Sequence, residues 1–238
     1  MKNKFFISAL SAEPRGAVCF TFDDYHGENW LKACSIFRKY NARVTFLIAG
    51  EITPEKADVM GKLHAEGHSI GLHTLQHMDA LPFIHEHGGE KFFAEQILPQ
   101  LDSCGKCGLV IRNFSYPNNR RDETSDKLLF EHFDYLRAGN GPEKKTIYYP
   151  VKSIRPKMVL GGTGIGKYYK SDLSELKEKL NHARETDSLV VFFSHDIRPD
   201  ADHVAMPSEW LEELLAHAKE RNLRIIGFDD LKDLNPEK

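Results

Sequence analysis

At 238 residues, 41% of them hydrophobic and 28% charged, the chain has the composition of a globular protein with one core, which excludes a disordered or fibrous polymer. A net charge of -3, from 32 basic and 35 acidic residues, supplies no broad basic field for a nucleic-acid backbone or an anionic membrane. No segment approaches the roughly 18 consecutive apolar residues that a membrane span requires, so neither nucleic acid nor a bilayer crossing is expected.

The opening stretch, Met1 to Ala12, imitates a secretory signal. Its apolar part, Phe5 to Leu10, is shorter than the roughly 7 to 15 residues such a region needs, so it reads as a first strand or lead-in and the expected location is cytoplasmic. Strand-like runs rich in β-branched and aromatic residues follow at Ala17 to Phe22, Val44 to Ile48, Ser69 to Leu72, Val110 to Tyr116, Tyr135 to Arg137, Leu189 to Ser194 and Arg224 to Phe228. Helix-like runs fill most of the gaps: Trp30 to Tyr40, Pro54 to Glu66, Gly89 to Ser103, Thr124 to His132, Ser171 to Glu185 and Pro207 to Asn222. This alternation predicts βαβ units and a parallel sheet. The strands read as continuous apolar runs, the mark of a sheet covered on both faces. A closed or nearly closed barrel suits the pattern better than a doubly wound open sheet, because Phe22-Asp-Asp-Tyr-His-Gly27 stands where a Gly-rich phosphate loop would follow the first strand. The range Gly139 to Lys170 is the least regular and is expected to form loops near the site mouth, with the glycines of Gly161-Gly-Thr-Gly-Ile-Gly166 serving as turns. Of four cysteines, Cys104 and Cys107 form a CxxC in a Gly-rich turn and read as reduced, structural thiols.

Three features place chemistry at strand ends, where parallel barrels gather their reactive groups. Asp23 and Asp24 end the first apolar run; the bland alternative is an Asp pair capping the next helix. His73 and His77 follow the third run at a spacing that, on one helical turn, brings both imidazoles to one ion. Joined to Asp24 they make a His2Asp set with an open coordination position, as in catalytic zinc-type sites. His195 ends the run Leu189 to Ser194 and is placed to act as a general acid, or else as a hydrogen-bonded core histidine. The remaining histidines, His26 and His203 among them, lack convergent partners and are assigned no role.

Thr21-Phe-Asp-Asp24, His73-Thr-Leu-Gln-His77, Phe114-Ser-Tyr-Pro117 and Phe193-Ser-His195 resemble, in order and spacing, the motifs of the polysaccharide deacetylase (NodB-like) family, over about Ala17 to Leu231. The resemblance implies a distorted (β/α) barrel of about seven parallel strands in a single domain over 1–238, and a hydrolase that removes N-acetyl groups from an amino sugar or polysaccharide precursor. It also implies roles: Asp23 as general base, Asp24, His73 and His77 as ligands of a divalent metal, His195 as general acid, the backbone around Pro117 and Asn118 as the oxyanion-binding turn, and Tyr116 in the pocket lining. Zinc is the first expectation for the metal, with cobalt, nickel and iron also accepted by such a donor set. Ser115 departs from the family, many of whose members carry an arginine there that fixes the catalytic base. Arg155, in Ser153-Ile-Arg-Pro156, is the expected replacement, in competition with Arg120 and Arg121. Other readings of the same scaffold are an O-acetyl esterase, another C–N hydrolase, or a non-catalytic carbohydrate-binding relative.

Overall fold

The computed structural model describes residues 13–141 and 145–235; the opening stretch read as a strand or lead-in lies outside them. In chain order the strands are β1 (Ala17–Asp24), β2 (Thr45–Ile48), β3 (Ser69–Leu72), β4 (Asn113–Ser115), β5 (Tyr135–Gly139), β6 (Tyr148–Pro150), β7 (Met158–Gly164), β8 (Ser188–Ser194), β9 (Ile197–Arg198), β10 (Met206–Pro207) and β11 (Arg224–Ile225). The helices are α1 (Gly27–Lys39), α2 (Pro54–Ala65), α3 (Ala80–His87), α4 (Gly89–Phe92), α5 (Leu98–Lys106), α6 (Glu123–Phe130), α7 (Leu173–Glu185) and α8 (Ser208–Glu220). Strands β1, β2, β3, β4, β5, β7 and β8 pair side by side in parallel, and β8 returns to β1 through six register pairs from Ala17↔Leu189 to Phe22↔Ser194. The sheet is therefore a closed seven-stranded barrel. Closure removes the edges that an open sheet would leave unpaired.

Side-chain alternation divides each strand between two environments. Val18, Phe20 and Phe22 of β1 share one buried cluster with Trp30 and Phe37 of α1 and with Leu211 and Leu215 of α8, so they face outward to the helical layer. Ala17 and Cys19 join Tyr135, Leu160, Leu189 and Val191 in a second cluster, which fills the barrel interior and is closed below by Phe228, Leu231 and Leu234. The period of two then carries inward position upward to Asp23 on β1, Arg137 on β5 and His195 beyond β8. The same alternation makes His73 inward beyond β3 and Ser115 inward on β4.

Three expectations are corrected here, and the helix-capping alternative for the Asp pair is excluded. The glycines of 161–164 are not turns but part of β7, where they admit close packing: a Cβ on Gly162 would lie 3.0 Å from Cδ1 of Phe193. The helix expected from Gly89 to Ser103 is interrupted by a π turn at Phe93–Ile97 between α4 and α5. The Asp pair does not cap α1, whose N-cap position is His26 without a side-chain cap bond. Cys104 and Cys107 are both free; Cys104 is buried in the last turn of α5 and Cys107 caps it, so the pair ends a helix instead of occupying a Gly-rich turn. Among the described residues no helix is long and apolar enough to cross a membrane.

Candidate active site

Five of the residues singled out from sequence meet at the upper rim of the barrel. Asp24, the last residue of β1, has a left-handed backbone (φ 70°). For a non-glycine residue this conformation costs on the order of 1–3 kcal/mol and persists only where surrounding structure imposes it. Its carboxylate oxygen Oδ1 lies 3.7 Å from Nε2 of His73 and 3.4 Å from Nε2 of His77. One ligand atom from each of Asp24, His73 and His77 falls within 4.8 Å of the others, so the three could hold one metal ion.

The histidine pair reaches this point without a helix, which corrects the expectation drawn from its spacing. The segment between β3 and α3 is a loop with left-handed residues at Thr74 (φ 62°) and His77 (φ 53°). Thr74 Oγ1 accepts the Met78 N–H at 2.8 Å and closes the turn. Gln96, buried in the π turn, clamps the loop from the side. Its carbonyl accepts the Leu75 N–H at 2.9 Å, its Oε1 accepts the Gln76 N–H at 3.1 Å, and its Nε2 donates to Gln76 Oε1 at 2.8 Å. His73 is fixed from behind, with Nδ1 2.9 Å from the Ser115 carbonyl and 2.6 Å from the Ser115 hydroxyl. A bond from Nδ1–H to that carbonyl leaves the Nε2 lone pair facing Asp24 and its neighbours, the usual way in which a metal-binding imidazole is oriented. Burial pushes the His73 imidazole down to about 4, against the pull of Asp23, so it stays in the neutral form that ligation needs.

Asp23 points into the barrel and is 3% exposed. Arg137 of β5 donates through Nη2 to Asp23 Oδ2, and through Nη1 to Asn119 Oδ1 at 2.9 Å. Burial alone would raise the Asp23 carboxyl, but Arg137, His73 and His195 together overcome it and hold the group below its usual value. Asp23 Oδ1 has no hydrogen-bond partner among the described residues. Asp23 thus presents a charged, oriented carboxylate with one oxygen free.

Arg155 is not the residue that supports Asp23. It leads into β7 from the lower end of the barrel, is exposed, and donates to the Ser153 carbonyl at 3.1 Å. Strand direction explains the difference: a residue ahead of a barrel strand lies opposite the rim where the strands end. Arg120 pairs with Asp79 and Arg121 with Asp126, so neither competitor takes the role. Tyr116 is also corrected. It is fully buried and its hydroxyl donates to Asp126 Oδ1 at 2.8 Å, so its side chain does not line the pocket. Pro117 is buried, and Asn118 (φ 51°) and Asn119 (φ 58°) follow it in consecutive left-handed conformations. Asn118 anchors its amide on Asp79 Oδ1 at 2.6 Å. Its backbone N–H, in the first turn of a short helical segment, has no carbonyl within that turn to bond.

His195 follows β8 with Nε2 3.9 Å from Asp24 Oδ2. Trp30 Nε1 donates to the His195 carbonyl at 2.9 Å, and the next residue, Asp196, is tied by Asn29 at 3.0 Å and by the Ile197 N–H at 2.8 Å. The main chain is anchored, while His195 Nδ1 is buried without a partner among the described residues. Sequence reasoning missed Arg137, Asn119 and Gln96. Arg137 had a signal: it is the lone charge in the strand Tyr135–Gly139, and it ends the strand-like run Tyr135 to Arg137 read from sequence.

Comparison with known proteins places the geometry in context. The polysaccharide deacetylase family profile matches residues 11–132, about half of the chain. The peptidoglycan-N-acetylglucosamine deacetylase of Bacillus cereus is 29% identical over 75 residues, 32% of this chain and 28% of that protein. The chitooligosaccharide deacetylase of Azorhizobium caulinodans is 28% identical over 101 residues, 42% of this chain and 44% of that protein. The chain is thus matched to less than half the length of either. Among solved structures, the chitin deacetylase from Colletotrichum lindemuthianum aligns with a TM-score of 0.62 at 15% identity, covering 94% of this chain and 88% of that one, a likeness of fold.

Proposed function

Because this chain belongs to the polysaccharide deacetylase family, we propose that it is a metal-dependent hydrolase removing acetyl groups from the nitrogen of an N-acetylated saccharide. One observation carries the reading: Asp24, His73 and His77 converge around a point beside the ionised, half-free carboxylate of Asp23. The donor set fits a divalent cation. Asp24 Oδ1 is buried without a hydrogen-bond partner among the described residues, and both facing imidazole nitrogens stand too far from it for hydrogen bonds, at 3.4 and 3.7 Å. Zinc suits two imidazoles and a carboxylate, and cobalt, nickel or iron is accepted by the same set. A bound cation would lower the pKa of water from about 15.7 to about 7 and polarise the acetyl carbonyl.

The chain's own residues supply the rest. Asp23 Oδ1 takes the proton of the attacking water, with Arg137 holding the carboxylate in place. The backbone N–H of the Pro117–Asn118 turn faces the oxygen on which negative charge develops, a contact worth roughly 3–4 kcal/mol for one donor. His195 delivers a proton to the departing nitrogen, since an amine leaves poorly as an anion. Each proton transfer contributes about a hundred- to ten-thousand-fold. The Asp23–Arg137 pair also supports an enzyme over a carbohydrate-binding relative, because the arginine absent at Ser115 has a counterpart.

Acetate release from N-acetylated and O-acetylated oligosaccharides, with the protein loaded with defined metals and after chelation, tests the reading. N-acetyl substrates should release acetate faster, and chelation should abolish release. Asp24→Ala, His73→Ala and His77→Ala should lose metal as well as turnover, whereas Asp23→Asn should keep the metal and lose about a hundredfold or more in kcat. Full activity of metal-free protein would end the proposal, and preference for the O-acetylated series would make the chain an esterase.

A further inference from the structure

Asp79 follows the His77 loop directly and holds the N-cap position of α3. An aspartate there ordinarily turns its carboxylate back to accept the N–H of the second or third helical residue. Asp79 makes no such bond. Part of the reason lies in the sequence, because the third helical residue is Pro82, which has no N–H to give. The carboxylate instead reaches across to the turn that follows β4, where Oδ1 accepts from Asn118 Nδ2 at 2.6 Å and Oδ2 accepts from Arg120 Nη1 at 3.2 Å. We propose that Asp79 is a positioning residue: it ties the loop that bears the ligand His77 to the turn that bears the Asn118 backbone N–H, and so fixes the spacing between metal ligand and oxyanion donor. This rests on the hydrolase reading above.

The turn needs such a tie. Asn118 and Asn119 hold left-handed conformations that asparagine tolerates better than most residues but that persist only where surrounding structure imposes them. Asn118, Asn119 and Arg120 are all exposed, so burial does not impose them. Within the turn the Asn119 N–H donates to the Tyr116 carbonyl at 3.1 Å and the Arg120 N–H to the Pro117 carbonyl at 3.3 Å. From one side Arg137 donates to Asn119 Oδ1, which links the turn to Asp23. From the other side Asp79 links it to the ligand loop, where the Met78 N–H, between His77 and Asp79, is bonded to Thr74 Oγ1. Base, metal ligand and oxyanion donor, carried by different strand ends, thus share one hydrogen-bonded frame. Of the two contacts that Asp79 makes, the one to Asn118 acts directly on the residue whose N–H is to be placed. Arg120 is 57% exposed, and an ion pair at such a site contributes little.

Serine and asparagine serve at an N-cap about as well as aspartate, so Asp79→Ser and Asp79→Asn both leave α3 with a capping residue. Only their reach differs. The serine hydroxyl sits one bond nearer the backbone and cannot span to Asn118, whereas asparagine keeps an acceptor oxygen for the Asn118 amide. With zinc-loaded protein and chitotetraose, Asp79→Ser should lower kcat by about tenfold or more and leave KM within about threefold of wild type, because the N–H it displaces acts on charge that develops only in the transition state. Asp79→Asn should recover most of that loss, to within about threefold of the wild-type kcat. Hydrogen exchange at the Asn119 and Arg120 amides of the same proteins should be about tenfold or more faster in Asp79→Ser and within about threefold of wild type in Asp79→Asn. A kcat within about threefold of wild type in Asp79→Ser, a loss carried by KM, or equal losses in the two variants overturns the proposal. If wild-type protein releases no acetate, the hydrolase reading fails and exchange alone decides: faster exchange confined to Asp79→Ser upholds the tie, and any other pattern overturns it. Acetate release with kcat indifferent to Asp79→Ser upholds the hydrolase reading and overturns the tie.

Discussion

Arg137 decides what Asp23 can do. Burial favours the neutral acid at Asp23, and the guanidinium reverses that preference. In the proposed function Asp23 is the general base, which works only when ionised, so activity should be present above its folded pKa and disappear as pH falls through it. Replacing Arg137 by Met removes a lowering influence and leaves burial to dominate, so the carboxyl pKa rises. The acid limb of kcat/KM, measured at saturating metal, should therefore move to higher pH, and kcat at neutral pH should fall by about a hundredfold or more. Arg137→Lys should keep the limb nearer its place while still losing activity, because one ammonium cannot copy the fork that reaches both Asp23 and Asn119. An acid limb unmoved in Arg137→Met would show that the arginine does not set the base. The rim residues Asp23, Asp24, His73 and His195 were legible in sequence because they follow the ends of apolar runs, and His77 because of its four-residue spacing from His73. Arg137 ends a strand-like run too, yet reads as part of that strand. Only register across the barrel, pairing Arg137 with Ser115 on one side and Leu160 on the other, reveals that it faces Asp23.

Among the elements, those with a plain period were legible and those shaped by neighbours were not. β3 falls where its sequence places it, and the helices α1, α2, α7 and α8 differ from expectation by a few residues at their ends. β7 escaped because three of its last five residues are glycines, which strands usually avoid: Gly161, Gly162 and Gly164 pack against Ile147, Phe193 and Tyr169, contacts that lie far away or across a loop in sequence. The π turn at Phe93–Ile97 is likewise invisible to a helical period, since it adds one residue to a turn without changing composition. Its consequence is the placing of Gln96 against the loop between His73 and His77. Removing that clamp should loosen the ligands without touching the chemistry. Gln96→Ala is expected to weaken zinc affinity by about 10- to 100-fold, as measured by competition with a chelator, the usual effect of losing a group that orients a ligand. Turnover at saturating zinc should fall by a smaller factor. Zinc affinity within about threefold of wild type would mean that the two left-handed residues and Thr74 fix the loop unaided.

At the scale of the whole molecule the barrel joins an apolar base to a polar rim, and one seam ties the two. β1 and β8 share six register pairs, against four between β1 and β2, and their upper ends deliver Asp23, Asp24 and His195. The polar groups of the rim stabilise little by themselves: an unpaired carboxylate oxygen on Asp23 and an unpaired imidazole nitrogen on His195 are unfavourable in a buried site. Stability must come from the seam and its helical cover, where Phe20 and Phe192 are register partners with ring centroids 5.5 Å apart, both fully buried. Phe192 faces the helices and does not line the pocket, so truncating it isolates the seam from the chemistry. Phe192→Ala should destabilise by about 3–5 kcal/mol, the transfer loss of a buried ring plus the cavity it leaves. For a chain of this size, about 2–4 °C per kcal/mol converts that to a fall in melting temperature of roughly 6–20 °C. Phe83→Ala, on the partly buried face of α3, should lower it by less, since less apolar surface leaves water there. Circular dichroism melts of the two variants against wild type make the comparison, and equal falls would mean that the β1–β8 seam carries no special share of the fold's stability.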